Sequence, residues 1–167
     1  MENATNSLAL LSHVVGVITI VMAFFYMSSS KVNYSILLTA VIGMLGDYLV
    51  TAFSPFNTYI TDPHWRSFAW FIGLALFDML MIYVILFAHT RIGLLISNYA
   101  RLVMACYALL GFVQIITYFD HAHLKTGVVL SFYKIFIPAF SISMTLGLAV
   151  YLAWLLYRPN PLQRYMS

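Results

Sequence analysis

The sequence predicts an all-α, polytopic integral membrane bundle of about five transmembrane helices, with the N-terminus outside and the C-terminus cytoplasmic. Three observations carry that expectation. Of the 167 residues, 63% are hydrophobic and 8% are charged, a balance that a soluble domain could not hide from water. The apolar residues gather into five stretches, each close to the ~20 residues that a helix needs to cross a bilayer. The basic residues fall mostly between these stretches and unequally on alternate sides. Residues 1–167 therefore read as a single transmembrane domain. The connections are too short to hold a separate module, and no internal repeat or low-complexity tract is visible.

The first span covers residues 8–27 and ends at the polar run Ser28-Ser29-Ser30-Lys31. A secretory signal needs a basic start, but residues 1–7 carry Glu2 and no Lys or Arg, so this stretch is expected to be retained as a helix. The second span, 33–53, stops at Ser54-Pro55. Proline biases the residue before it away from helix, and Asn57, Asp62 and Pro63 prolong the break. The third covers 67–89. The fourth, 102–119, is preceded by residues 92–99, which are apolar enough to lie in the interface or to extend either neighbouring helix. The fifth, 127–157, exceeds a straight crossing, which predicts tilt, a kink at Pro138 or projection beyond the bilayer. The proline-bearing tail from Arg158 to Arg164 reads as a cytoplasmic anchor.

Orientation follows from the excess of basic residues in cytoplasmic loops. One side holds Lys31, Arg91, Arg101, Arg158 and Arg164, while the other holds Arg66 and Lys125. Tyr59, Trp65, Trp154 and Tyr157 sit near span ends, where amphipathic rings favour the headgroup layer.

Composition also excludes several classes. A net charge of +3 and a pI near 9.0 would suit nucleic acid, yet the basic residues are scattered singly, with no stripe or run, so no nucleic-acid partner is expected. Cys106 is the only cysteine, and it reads as a small apolar packing residue rather than half of a disulfide. Asn3-Ala4-Thr5 and Asn33-Tyr34-Ser35 match the glycosylation triplet, a pattern too short to identify a compartment. The many Phe, Tyr and Met residues are ordinary lipid-facing and packing groups, and no cofactor is expected.

The polar residues inside the spans carry the functional expectations. At a rise of about 1.5 Å per residue, His13, Asp47 and Lys134 lie about 8–11 Å from the outer ends of their helices. Gln114 falls at a similar depth and Asp78 deeper. Together these five residues form an expected intramembrane polar layer. Stripes of small or polar residues run beside them: Ser35, Thr39, Gly43, Asp47 and Thr51 on the second span, Lys134, Pro138, Ser141 and Thr145 on the fifth, and Ser12, Gly16, Thr19 and Ala23 on the first. Such faces let helices approach closely inside lipid, where apolar burial gives little drive.

Three readings of the layer follow. In the first, Asp47 and Lys134 form a buried ion pair, with Asp78 protonated or hydrogen-bonded, which offsets the roughly 2.5–3.5 kcal/mol cost of a charge at the helix centre. In the second, the layer is a proton or ion relay or a polar vestibule. In the third, Asp47 and Asp78 act as acid and base in an intramembrane enzyme. Gly46-Asp47 is a weak signal for that chemistry, and no nucleophile or metalloprotease motif accompanies it. Loop residues Asp62, His64, Asp120, His121 and His123 are weak metal candidates, and they read first as solvated loop groups.

The leading expectation is a non-enzymatic multi-pass protein of a bacterial-type inner (plasma) membrane. It would act as a sensor, accessory or defence/immunity-type subunit. Its expected partners are membrane lipids, further copies of itself joined through the small-residue faces, and a membrane or cytoplasmic protein. The alternative is an oligomeric ion or proton channel, or a small transporter, using the polar layer.

Overall fold

The computed structural model describes residues 2–28 and 33–157, with side chains from residue 14 onward, Ser54 excepted. Five helices account for nearly all of it: α1 (Glu2–Met27), α2 (Tyr34–Phe53), α3 (Pro63–Ile92), α4 (Asn98–Phe119) and α5 (Val128–Tyr157). A 3-10 turn, Ser54–Tyr59, follows α2, and a π turn, Asp120–Leu124, follows α4. No strand occurs among the described residues. Tyr34–Tyr59, Pro63–Ile92, Asn98–Leu124 and Val128–Tyr157 are each long and apolar enough to cross a membrane, and Val14–Met27 is a shorter apolar stretch. The multi-pass helical class is therefore present.

Capping explains where the helices begin and end. The Asn33 Oδ1 accepts from the Ser35 and Ile36 backbone N–H groups at 3.0 and 3.4 Å, which satisfies donors that the first turn of α2 cannot pair internally. Asp62 does the same for α3, accepting from His64 N at 2.8 Å and Trp65 N at 3.0 Å. Pro63 then occupies the first helical position, where its missing N–H costs nothing. Hence α3 starts about one turn before the expected residue 67: the proline that reads as a break is the start. At the other end of α3, Gly93 adopts φ 72°, and Leu94 N reaches back to His89 O at 2.9 Å, a left-handed glycine stop. Ser97 opens α4 by accepting from Ala100 N at 3.1 Å. Residues 94–97 thus belong to neither helix, and α4 begins at Asn98, ahead of the expected 102. Pro138 lies inside α5 without ending it.

Packing runs in pairs. α1 lies along α5, α3 lies along α4, and α2 rests mainly on α3. The α1–α2–α5 core contains Ala23, Tyr26, Ile36, Ala40, Leu148 and Leu152. Ile42, Met81, Ile85, Val103 and Tyr107 form a second core between α2, α3 and α4. A third, of Phe71, Tyr118 and Tyr133, closes the end carrying the 3-10 and π turns. Thr19 is fully buried, and its hydroxyl reaches Val15 O at 2.8 Å and, across the interface, Thr145 O at 3.3 Å. Small polar residues thus join α1 to α5 as the packing of lipid-embedded helices favours. Phe24, Tyr48, Leu76 and Ile135 on the outer faces stay exposed, as a lipid-facing surface requires.

Candidate intramembrane polar site

Three helices build the site. On α4, Tyr107, Gly111 and Gln114 recur at i, i+4 and i+7, which places them on one face, and all three are buried. Gly111 lets α3 approach: a Cβ there would lie 3.2 Å from Met79 Cε, 3.5 Å from Ala75 O and 3.7 Å from Asp78 Cβ. Asp78, 6% exposed, is pressed against this face with Gln114 as the neighbouring side chain. Asp78 Oδ2 and Gln114 Oε1 are both buried without a hydrogen-bond partner. Each of these two oxygens is an acceptor that lacks a donor.

Tyr107 reaches the other way, to α2. Its hydroxyl lies 3.6 Å from where a Cβ at Gly43 would stand and 3.5 Å from one at Gly46. Beyond it, a cavity of about 70 Å³ opens between α2, α4 and α5, with polar groups from Thr39, Asp47, Tyr99, Tyr107, Ser141 and Thr145 in its wall. That space accommodates one or two waters or a small ion. Asp47 sits at the exposed edge of the cavity. Tyr99 and Tyr107 line the same wall, and Asp78 packs against α4 one turn further along, at Gly111.

The expected polar layer is only partly assembled. Asp78 and Gln114 meet beside Gly111 on α4, and Asp47 lines a cavity with Tyr107 one turn away. Lys134 does not join them: it is exposed on α5, and no ion pair links it to Asp47 or Asp78 among the described residues. The physical reason is one residue of helical phase, about 100°. Tyr133 takes the inward position, 9% exposed, packed edge-on against Phe71 at 5.3 Å, and this turns Lys134 outward. The side chain of His13 lies outside the described residues.

The stripe on α2 also rotates. Ser35 and Thr39 are buried, Gly43 is half-buried, and Asp47 and Thr51 are exposed, because each step of four residues advances about 40° around the helix. On α5, Pro138, Ser141 and Thr145 are half-buried, with Ser141 and Thr145 in the cavity wall.

Tyr107, Tyr99 and Tyr133 were not among the residues singled out from sequence, although the spacing of Tyr107, Gly111 and Gln114 carries the signal. His89 was missed too. It is completely buried, with Nε2 at 2.8 Å from Ser35 Oγ and Nδ1 at 2.7 Å from Ile85 O. Ser35 Oγ also accepts from Ser97 N at 3.0 Å. This network ties α2, α3 and the start of α4 together at the end opposite the two short turns.

The loop acids have backbone partners. Asp62 caps α3, as described. Asp120 is 1% exposed; its Oδ1 accepts from the Thr126 hydroxyl and its Oδ2 from Val129 N at 3.1 Å, which secures the first turn of α5. His64 and His123 pack against Tyr118, and His121 against Phe71. Among the described residues, no group of three His, Cys, Asp or Glu stands close enough to hold a metal ion.

The chain matches no family model, no curated protein and no solved structure. Fold and site chemistry therefore carry the functional argument alone.

Proposed function

We propose that this is a non-enzymatic membrane protein that takes up a proton or a small cation at the α2–α4–α5 cavity, as the binding step of a sensor or of a small transporter. The observation that carries the reading is the placement of Asp47: a carboxyl on the wall of an intramembrane cavity, without a basic partner among the described residues, in a wall shared with tyrosine, serine and threonine side chains. An acidic group at membrane depth is costly unless it is neutralised, and a proton or cation from the cavity neutralises it. The hydroxyls supply the oxygen ligands that hard cations prefer. Catalysis by the two acids is the weaker reading, because Asp78 does not line the cavity and a substrate there would meet one carboxyl rather than two.

A second reading, a subunit that assembles with copies of itself or with a membrane partner, draws on Lys134. A cation exposed on a membrane-spanning helix either snorkels to the interface or meets an acidic group on another chain. Its position about 9 Å from the start of α5 permits both. A bacterial-type inner membrane is the proposed location, from the compactness of the chain and the basic bias of its loops.

Liposomes containing the purified protein and a trapped pH-sensitive dye test the first reading. Wild type is expected to dissipate an imposed proton or alkali-cation gradient, or to show saturable cation binding in detergent, and Asp47→Asn is expected to abolish either signal. A wild-type protein with neither flux nor binding, or an Asp47→Asn variant that retains both, would end it.

A further inference from the structure

At the end of the bundle carrying the 3-10 and π turns, three cavities meet at Asn57 and Trp70. Two, of about 190 and 250 Å³, are lined by polar groups of Asn57, Arg66 and either Ser67 and His121 or Thr58. The third, of about 310 Å³, is an apolar slot between α2 and α3, walled by Phe53, Trp70, Leu74 and Phe77. Trp70, Leu74 and Phe77 follow the i, i+4, i+7 line of α3, so the slot extends about 10 Å along the helix, starting about 10 Å in from its Pro63 end. Gly73 forms part of its wall, and a Cβ there would meet nothing within 4 Å.

The polar end holds two complementary groups. Arg66 Nε donates to Ile60 O at 2.7 Å, which anchors the guanidinium while its terminal N–H groups remain available to an anion. Asn57 Oδ1 is buried and has no hydrogen-bond partner; it needs a donor. An anion-binding fork, an acceptor awaiting a donor and an apolar slot running along α3 describe one kind of ligand.

We infer that this junction is a phospholipid site: the phosphate on Arg66, a headgroup hydroxyl or ammonium donating to Asn57, and an acyl chain in the slot beside Gly73. Phosphate on a basic side chain at a span end is general to membrane proteins. The Asn57 acceptor adds selectivity, because glycerol and ethanolamine headgroups carry N–H or O–H donors beyond the phosphate and choline does not. This site is separate from the Asp47 cavity and does not depend on the function proposed for it.

Trp70 is a built-in reporter. In a Trp65→Phe/Trp154→Phe background, its fluorescence is quenched by lipids brominated on the acyl chain when they enter the slot. With identical acyl chains, brominated phosphatidylethanolamine and phosphatidylglycerol are expected to compete for the site at least about fivefold better than phosphatidylcholine, the scale of one ordinary net hydrogen bond. Asn57→Leu is expected to erase that preference, Arg66→Gln to weaken all three lipids, and Gly73→Leu, whose Cβ enters open space in the slot wall, to reduce quenching by every lipid. Soluble glycerol phosphate is expected to leave the quenching unchanged, since it has no chain for the slot. Equal competition by all three headgroups in the Trp70-only protein, an undiminished preference in Asn57→Leu, or full quenching in Gly73→Leu would each overturn the proposal. Because Gly73→Leu alters no hydrogen bond, its result stands even where Arg66→Gln loosens the fold through the lost Ile60 contact.

Discussion

His89 and Ser35 meet at 2.8 Å between the last turn of α3 and the first turn of α2. Both are buried, and the tautomer with its hydrogen on Nδ1 suits the bonds around them. Ile85 O can only accept, so His89 Nδ1 carries a hydrogen; Ser97 N donates to Ser35 Oγ, which leaves the serine hydroxyl hydrogen free to point at His89 Nε2. In that tautomer each of these three contacts has one donor and one acceptor.

Ser35→Ala strands the His89 Nε2 acceptor and the Ser97 N–H at once. Leaving a buried polar group unsatisfied costs about 1–3 kcal/mol, so Ser35→Ala is expected to lower stability by that order, read as a shift in thermal or denaturant unfolding in detergent. His89→Leu removes the other end of the pair. The double variant is expected to lose less than the sum of the singles, because the two residues share one network. Strict additivity would show that the 2.8 Å contact contributes nothing.

The helix ends give a second prediction. Asp62→Ala removes the acceptor for His64 N and Trp65 N and is expected to cost about 1 kcal/mol, as for other N-caps. Asp120→Ala removes the bonds to Thr126 and Val129 N, and hydrogen exchange at the first amides of α5 is expected to rise by roughly tenfold, a local rather than a global opening. A metal role predicts something else: stability that rises with added zinc and is lost on chelation. Zinc titration of wild type and His121→Ala distinguishes these outcomes.

Much of the fold was legible because lipid imposes a single strong rule: apolar runs of spanning length become helices that satisfy their own backbone. The sites depend on finer information. The boundary between α3 and α4 rests on Gly93 and Ser97, one left-handed residue and one hydroxyl, which an apolar average over residues 92–99 conceals. The expected Asp47–Lys134 pair rested on depth and on stripes of small or polar residues about four apart, and such a stripe drifts about 40° with each step, so its ends need not face the same way. Tyr133 and Lys134 have nearly the same depth, and packing against Phe71 decides which of them faces inward. By contrast, Asp78 and Gln114 lie on helices that run side by side, and there depth and phase agree.

The α3–α4 contact at Gly111 yields a prediction whose sign is set by two opposing terms. Alanine gains about 1 kcal/mol of helix propensity over glycine, while its Cβ, 3.2 Å from Met79 Cε, requires only the flexible end of a methionine to give way. Gly111→Ala is expected to be near neutral. Gly111→Leu has no such escape, because its branches meet the Ala75 carbonyl and the Asp78 side chain, and overpacking of this kind costs about 1–3 kcal/mol. The same variant pushes Asp78 away from Gln114, so loss of stability is expected together with altered accessibility of the Asp78 carboxyl to carbodiimide labelling. Unchanged unfolding and labelling in Gly111→Leu would mean that the two helices are not held this closely.

The separation of Lys134 from the acids makes the last prediction quantitative. Were Lys134 buried against Asp47, removing either partner would leave an uncompensated charge and cost about 3–5 kcal/mol, and removing both would restore much of it. With Lys134 exposed on α5 and Asp47 at the cavity edge, Lys134→Met and Asp47→Asn should act independently, with a coupling within about 0.5 kcal/mol in a double-mutant cycle. Lys134→Met is itself expected to leave unfolding unchanged or to raise the midpoint, since it removes a charge from a lipid-facing position without stranding a partner. Asp47 and Asp78 should behave differently from that pair. Both act on α4, Asp47 through the cavity it lines with Tyr107 and Asp78 through its packing at Gly111, so the double variant should differ measurably from the sum of the singles. A large coupling for Asp47 with Lys134 and none for Asp47 with Asp78 would require α5 to be rotated by about one residue from the arrangement described.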